Sequence, residues 1–270
     1  MVREPIVAGQ FYSGSAAALR KEIAGMIGSG AKKNINAIGA VSPHAGYAYS
    51  GPVACKVLSS IKPKKYFVIL GTNHTGLGTV FGIDSNDFWR TPLGNVEIDR
   101  SVADKISKKC GFIKPDKLSH VNEHSIEVQL PFLQVLQEDF KIIPITISHA
   151  DLNLYRKAGI GIAASIRELG IEDHTVIIAS SDMTHYEDID EAKKKDAIAI
   201  SSMLALNEEE LLRSVLEFDI TMCGLAPVVV MIIAAKELGA SRAELVEYRT
   251  SADASGDSSS VVGYAGLIIS

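Results

Sequence analysis

The stretch Tyr66-Phe-Val-Ile-Leu-Gly-Thr-Asn-His74-Thr-Gly76 decides the reading of this chain. Its first half is an uninterrupted apolar run of strand length, suited to burial on both faces. The small and polar residues that follow cannot extend it. The run therefore delivers a histidine to a loop at the carboxyl end of a strand. The same construction recurs where Ile35–Val41 runs into Ser-Pro-His44-Ala-Gly46, and where Thr175–Ala179 runs into Ser-Ser-Asp182-Met-Thr-His185. A fourth run, Lys141–Ile147, leads to Ser-His149-Ala-Asp151.

Between these strands, Gly51–Ile61, Ser125–Leu136 and Leu152–Leu169 place apolar residues at helical spacing. Strands alternating with such segments predict βαβ units: an α/β fold with a largely parallel central sheet flanked by helices. Further helices are expected at Asp190–Leu206, Glu208–Leu216 and Leu225–Leu238, and strands at Ala243–Tyr248 and Val261–Ile268. Neither a fixed-period repeat nor a low-complexity linker interrupts the pattern. Thr250–Ser260 is rich in Ser, Asp and Gly but short enough to be a loop, so residues 1–270 read as one domain.

The composition narrows the function classes. A 270-residue chain that is 47% hydrophobic and 22% charged can bury a sizeable core. Its formal charge is -5, and no basic run exceeds Lys193-Lys194-Lys195, which leaves no electrostatic footprint for nucleic acid. Gly224–Ala235 is apolar but too short for the roughly 20 residues of a membrane helix. It reads as a buried core helix. The amino terminus, Met1-Val-Arg-Glu-Pro-Ile6, lacks the basic-then-apolar pattern of an export signal. Cys55, Cys110 and Cys223 are an odd number at wide spacing. They form neither a disulfide framework nor a zinc knuckle, and a reducing, cytoplasmic setting is expected.

In an open parallel sheet, ligands bind beyond the carboxyl ends of the strands, so the loops bearing His44, His74 and His185 are expected to converge on one crevice. Imidazole serves both metal ligation and proton transfer near neutral pH. A lone histidine in such a loop is more simply a hydrogen-bonded structural ring, and it is the recurrence at equivalent positions that favours a site. His149 is a weaker candidate, because its loop lacks glycine and passes almost at once into a helix. In Glu123-His124-Ser-Ile-Glu127, the spacing of three puts His124 and Glu127 on one face of an expected helix, so either could reach the crevice. The alternative is a helix start with acids placed against the dipole. Asp182 lies three residues from His185, and it or a nearby backbone group could orient that ring, making His185 a proton donor or acceptor, unless Asp182 merely caps the following turn. Cys223 opens an apolar helix, whose amino terminus would favour a thiolate able to ligate metal or attack an electrophile. An inert buried cysteine is the alternative. Cys55 and Cys110 read as packing residues, and His120 and His174 as structural or surface groups. No G-x-S-x-G elbow, P-loop, H-E-x-x-H or dinucleotide fingerprint occurs.

Taken in order, Arg3-Glu-Pro-Ile-Val-Ala-Gly-Gln-Phe-Tyr12, Pro43-His-Ala-Gly-Tyr47 with Ser50-Gly51, Asn73-His74, Glu123-His-Ser-Ile-Glu127 through Leu130-Pro-Phe132, Ser180-Ser-Asp-Met-Thr-His185, Cys223-Gly224, and Ser255-Gly-Asp257 with Val261-Val-Gly-Tyr264 resemble the MEMO family over essentially the whole chain. That family resembles class III extradiol dioxygenases in fold. The resemblance implies a metal site at His44, His74 and Cys223, in which cysteine stands where those dioxygenases have a carboxylate, with Asp182, His185 and His124 lining the same pocket. It implies copper or iron redox chemistry, and a soft thiolate also suits zinc. It also implies a small-molecule or peptide ligand, and radical-SAM and AMMECR-domain partner proteins. Three functions stay open: a redox-active metalloprotein with a dioxygenase-like pocket, a non-catalytic binder of peptides or phospho-ligands on the same scaffold, and a cysteine-nucleophile hydrolase.

Overall fold

The computed structural model describes residues 1–27 and 34–270. Among them the chain forms β1 (Val2–Arg3), α1 (Ala16–Ile27), β2 (Gly39–Ser42), α2 (Tyr47–Ser60), β3 (Tyr66–Thr72), β4 (Phe81–Ile83), β5 (Phe88–Thr91), β6 (Gly94–Ile98), α3 (Arg100–Cys110) and β7 (Lys114–Pro115). It continues through α4 (Leu130–Leu136), β8 (Lys141–Ile147), α5 (Leu152–Leu169), β9 (Thr175–Ser180), β10 (His185–Glu187), α6 (Ile189–Leu204), α7 (Glu208–Glu217), α8 (Leu225–Glu237), β11 (Ala243–Thr250), α9 (Ala252–Ser255) and β12 (Val261–Ile269).

One sheet organises these elements, in the order β1-β5-β6-β8-β3-β9-β2-β12-β10, with β11 on β12 and β4 bridging β7 and β8. Its centre is parallel: β8, β3, β9 and β2 all run the same way. Beyond β2, the strand β12 runs antiparallel and carries β11 and β10, so the sheet is mixed at that side. Alternate residues of each central strand serve opposite layers, as the strand period of two requires. Val68 and Leu70 of β3 pack with α3, α5 and α8, whereas Phe67 and Ile69 pack with α1, α2 and α4. The apolar helix expected from Gly224–Ala235 is α8, buried continuously from Ala226 to Ala235. Among the described residues no helix is long and apolar enough to cross a membrane.

The α/β class and its parallel centre match the reading of the sequence, and the differences from it are local. The strand expected from Ile35 starts at Gly39, because Ile35 makes only an isolated bridge with Ile61 and its carbonyl accepts the Ala37 N–H in a turn. The segment Ser125–Leu136 opens as a turn and a short 3-10 stretch at Glu127–Gln129 before α4. That departure from a regular helix shapes the site described next.

Candidate metal centre

The carboxyl ends of β2, β3 and β9 and the residue before Gly224, the cap of α8, meet at one edge of the sheet. His44, His74 and Cys223 each turn a ligand atom inward, and these atoms all lie within 4.8 Å of one another. His44 Nε2 is 3.2 Å from Cys223 Sγ, and the His44 and His74 rings meet edge to face with centroids 5.2 Å apart.

His44 is buried. Its backbone N–H donates to Asp182 Oδ1 at 2.7 Å, and its Nδ1 sits 3.0 Å from Ser180 Oγ. Burial, reinforced by the neighbouring rings of His74 and His124, holds its pKa well below the usual imidazole range, so the ring is neutral. His74 lies at the mouth, with its side chain one-third exposed. Its backbone N–H and its Nδ1 both reach the fully buried carboxylate of Glu123, at 2.7 and 3.0 Å. Partial burial disfavours charge on this ring, but the hydrogen bond and charge of Glu123 outweigh it and raise the pKa. In Glu123 the balance is mirrored. Burial opposes ionisation, yet His74 and the N–H of Ser125 hold the carboxyl down at about 2.

Cys223 is fixed by a close approach of two backbones. Gly224 N–H donates to Ser181 Oγ at 3.0 Å, Thr72 Oγ1 donates to the Cys223 carbonyl at 2.9 Å, and Asp182 N–H points at Cys223 Sγ from 3.3 Å. A Cβ on Gly224 would overlap Ser181 Cβ and lie 2.5 Å from the Ser180 carbonyl oxygen, so only glycine fits here. The helix begins at Leu225, one residue beyond this cap. Burial first, and the Asp182 carboxylate second, push the Cys223 thiol far above its usual value, opposite to the lowering that a helix start suggests.

His124 stacks on His74 with centroids 4.9 Å apart and planes inclined by 14°, stands edge-on to His44, and is backed by the edge of Phe11. A second set of ligand atoms, from His74, Glu123 and His124, also falls within 4.8 Å. His185 is partly buried. Its N–H donates to Thr221 Oγ1 at 2.7 Å, and its Nδ1 is 3.0 Å from the Thr221 carbonyl oxygen. A backbone group rather than Asp182 thus orients this ring. The Asp182 carboxylate, pushed up by burial against the opposing bond from the His44 N–H, ties the β2 loop to the β9 loop instead. The β9 loop is held from below as well, since Met183 N–H donates to the Gly263 carbonyl and Gly263 N–H to that of Thr184. Glu127 does not enter the crevice. Fully buried, it receives Arg3, the amides of Ile6 and Val7, and the Tyr12 hydroxyl at 2.7 Å, clamping the amino-terminal segment. His149 and His174 are exposed and lie in neither set of ligand atoms, while His120 is buried against Trp89. Cys55 and Cys110 are free and buried.

A family model described as Memo-like protein matches residues 3–268. The chain belongs to the MEMO family. It is 45% identical over 281 aligned residues to a MEMO1 family protein of Methanopyrus kandleri, covering 99% of each chain. A MEMO1 family protein of Aquifex aeolicus is 44% identical, with 99% of this chain and 98% of the relative covered. Another from Methanococcus maripaludis is 43% identical over the full length of both.

Among the contributors to which the sequence of this MEMO chain alone gave no role are Glu123, Gln129 and Ser180. Glu123 stands beside His124 in the quoted motif and was open to discovery, because a ligating imidazole commonly donates its second N–H to a carboxylate. Gln129 and Ser180 carry no comparable signal. They look like ordinary polar residues in an expected helix and at a strand end, and only the fold places both against His44.

Proposed function

We propose that this MEMO family chain is a metal-binding protein that holds one transition-metal ion on His44, His74 and Cys223 and uses it in redox chemistry on a small molecule. The observation that carries the reading is the mutual separation of the three ligand atoms, at most 4.8 Å. Atoms each bonded at about 2.0–2.3 Å to one ion lie roughly 3–4.6 Å apart according to the angle at the ion, so three donors gathered this closely can converge on a single ion. Two imidazoles and one thiolate make a soft set suited to iron or copper, and zinc fits the same donors. The ion, when bound, supplies Lewis acidity and electron transfer to a ligand at its open positions.

The chain's own groups divide the remaining work. His44 is neutral through burial and offers a lone pair without first losing a proton. Cys223 must give up its proton to become a ligand, and a cation is what makes that favourable in so buried a place. With Nδ1 committed to the Thr221 carbonyl, His185 presents Nε2 as the atom at which it accepts or returns a proton. His124 and Phe11 close the side of the crevice and limit water there. A cysteine nucleophile with His44 as base fits less well, because burial drives both groups toward their neutral forms.

Cobalt(II) titration without oxygen tests the reading. One equivalent should bring up a thiolate-to-cobalt charge-transfer band in the near ultraviolet. The band should be kept in Cys55→Ser and lost in Cys223→Ser. Its absence from the wild-type protein would overturn the proposal.

A further inference from the structure

The loop and 3-10 turn at Glu123–Gln129 touch the non-ligating nitrogen side of both histidines, and the hydrogen-bond directions there are over-determined. Gln129 is fully buried. Its amide nitrogen lies 2.9 Å from the Pro43 carbonyl oxygen, a group that can only accept, so this end is the NH2 and the other end accepts from Ser42 Oγ at 2.8 Å. The same NH2 reaches Ser180 Oγ at 2.9 Å and must donate to it. Ser180 Oγ is also 2.7 Å from the Ser125 carbonyl oxygen, again an obligate acceptor, so the single hydroxyl proton is spent there. Only a lone pair is left for His44 Nδ1 at 3.0 Å, and Nδ1 therefore carries a proton. For His74 the reasoning is shorter. One Glu123 oxygen receives the His74 N–H and the other the Ser125 N–H, so both oxygens act as acceptors, and the Nδ1 lying 3.0 and 3.2 Å from them is the donor.

We propose that the segment Glu123–Gln129 is a tautomer lock for the metal centre: Glu123 is the positioning residue of His74, and the Ser125 carbonyl, which takes the Ser180 proton while Gln129 donates to the same hydroxyl, sets Ser180 as the acceptor that positions His44. Both rings are held with the proton on Nδ1 and the Nε2 lone pair facing the crevice. The inference deepens the metal-binding reading and rests on it for its purpose, since a ring presenting Nε2–H cannot ligate through that atom. One seven-residue stretch thus prepares two ligands that lie 30 residues apart in sequence, at positions 44 and 74. It explains why this stretch is not a regular helix. Glu123, Ser125 and Gln129 are fully buried polar groups whose directions are set by the loops they hold rather than by a helical face.

The test is long-range 1H–15N correlation of the imidazoles in metal-free protein, at a pH where the rings are neutral, with His44 and His74 assigned from His44→Gln and His74→Gln. Both wild-type rings should show the Nδ1–H pattern. In Glu123→Gln, an amide NH2 facing Nδ1 should turn His74 to the Nε2–H form and leave His44 unchanged. In Ser180→Ala, the acceptor facing Nδ1 is removed, and His44 should become a mixture while His74 stays. Nε2–H on either wild-type ring overturns the proposal, as do variants that fold but move neither ring, and the wild-type spectrum decides even if a variant does not fold. Cobalt affinity should fall about 10–100-fold in each variant. Because the spectrum is taken without metal, a wild-type protein that took up no cobalt would overturn the proposed function, while the tautomers would still be judged on their own signals.

Discussion

Cys223 Sγ lies 3.2 Å from His44 Nε2, although 179 residues separate the two in sequence. The contact is made by two different structural devices. His44 arrives on the loop that ends β2, and Cys223 on the turn that starts α8, and both lean on the β9 loop through Asp182, Ser180 and Ser181. Residues 180–182 are thus the common wall of the site.

That wall makes glycine 224 a sharp probe. An added methyl would meet the Ser180 carbonyl and Ser181, neither of which is a flexible side-chain tip. Gly224→Ala should push the Cys223 turn away from β9, cost about 1–3 kcal/mol in urea unfolding, and weaken cobalt binding at least tenfold. Unchanged cobalt binding would mean that the turn is free to shift without moving the sulfur.

His185 should prove separable from the ligands. Its Nδ1 is anchored to Thr221 rather than to any group on the other two loops, and it stands outside the close cluster. His185→Ala is expected to keep metal within a few-fold of wild type, whereas His44→Ala loses it. Equal loss in both variants, measured by metal content after gel filtration, would make His185 a ligand.

The Glu123–His74 pair predicts a specific acid response. A carboxyl lowered from 4.5 to about 2 adds stability that is fully present above its unfolded value and is lost as pH falls from about 4.5 to about 2. The raised pKa of His74 describes the same interaction from its other partner and is not counted again. At 1.36 kcal/mol per pKa unit, the contribution is about 3 kcal/mol. Unfolding free energy of the metal-free protein, followed across that window, should fall more steeply in wild type than in Glu123→Gln. Parallel curves would remove Glu123 from this role.

The sequence exposed the parts of this structure that follow from periodicity and from chain direction. Tyr66–Leu70 and Thr175–Ala179 are apolar on both faces because they are central parallel strands, and the histidines after them fall at one edge because parallel strands all end there. Less visible were pieces too short for a period to develop. Phe81–Ile83 and Phe88–Thr91 have only three or four residues, and their strand character comes from pairing with β8 and β6. In the site, His44, His74 and Cys223 stood out as residue types with few other uses. The role of Glu127 was misjudged because helical spacing was assumed through Ser125. In the actual turn, its side chain faces Arg3 and Tyr12, away from His124. At Cys223 a helix start suggested a lowered thiol pKa, whereas desolvation and the Asp182 carboxylate that the fold brings to it push the thiol the other way.

The central claim is that Cys223, with His44 and His74, holds a metal ion. Its most direct test is metal stoichiometry and thermal midpoint, measured together on protein purified without affinity tag or chelator, for wild type, Cys223→Ser and Cys55→Ser. The account predicts about one iron or copper per wild-type chain, little in Cys223→Ser at a midpoint close to that of wild type stripped of metal, and full metal in Cys55→Ser at a midpoint below that of metal-loaded wild type. The lower midpoint follows because a hydroxyl in that buried apolar position costs about 1–3 kcal/mol. Full metal retention in Cys223→Ser would contradict it.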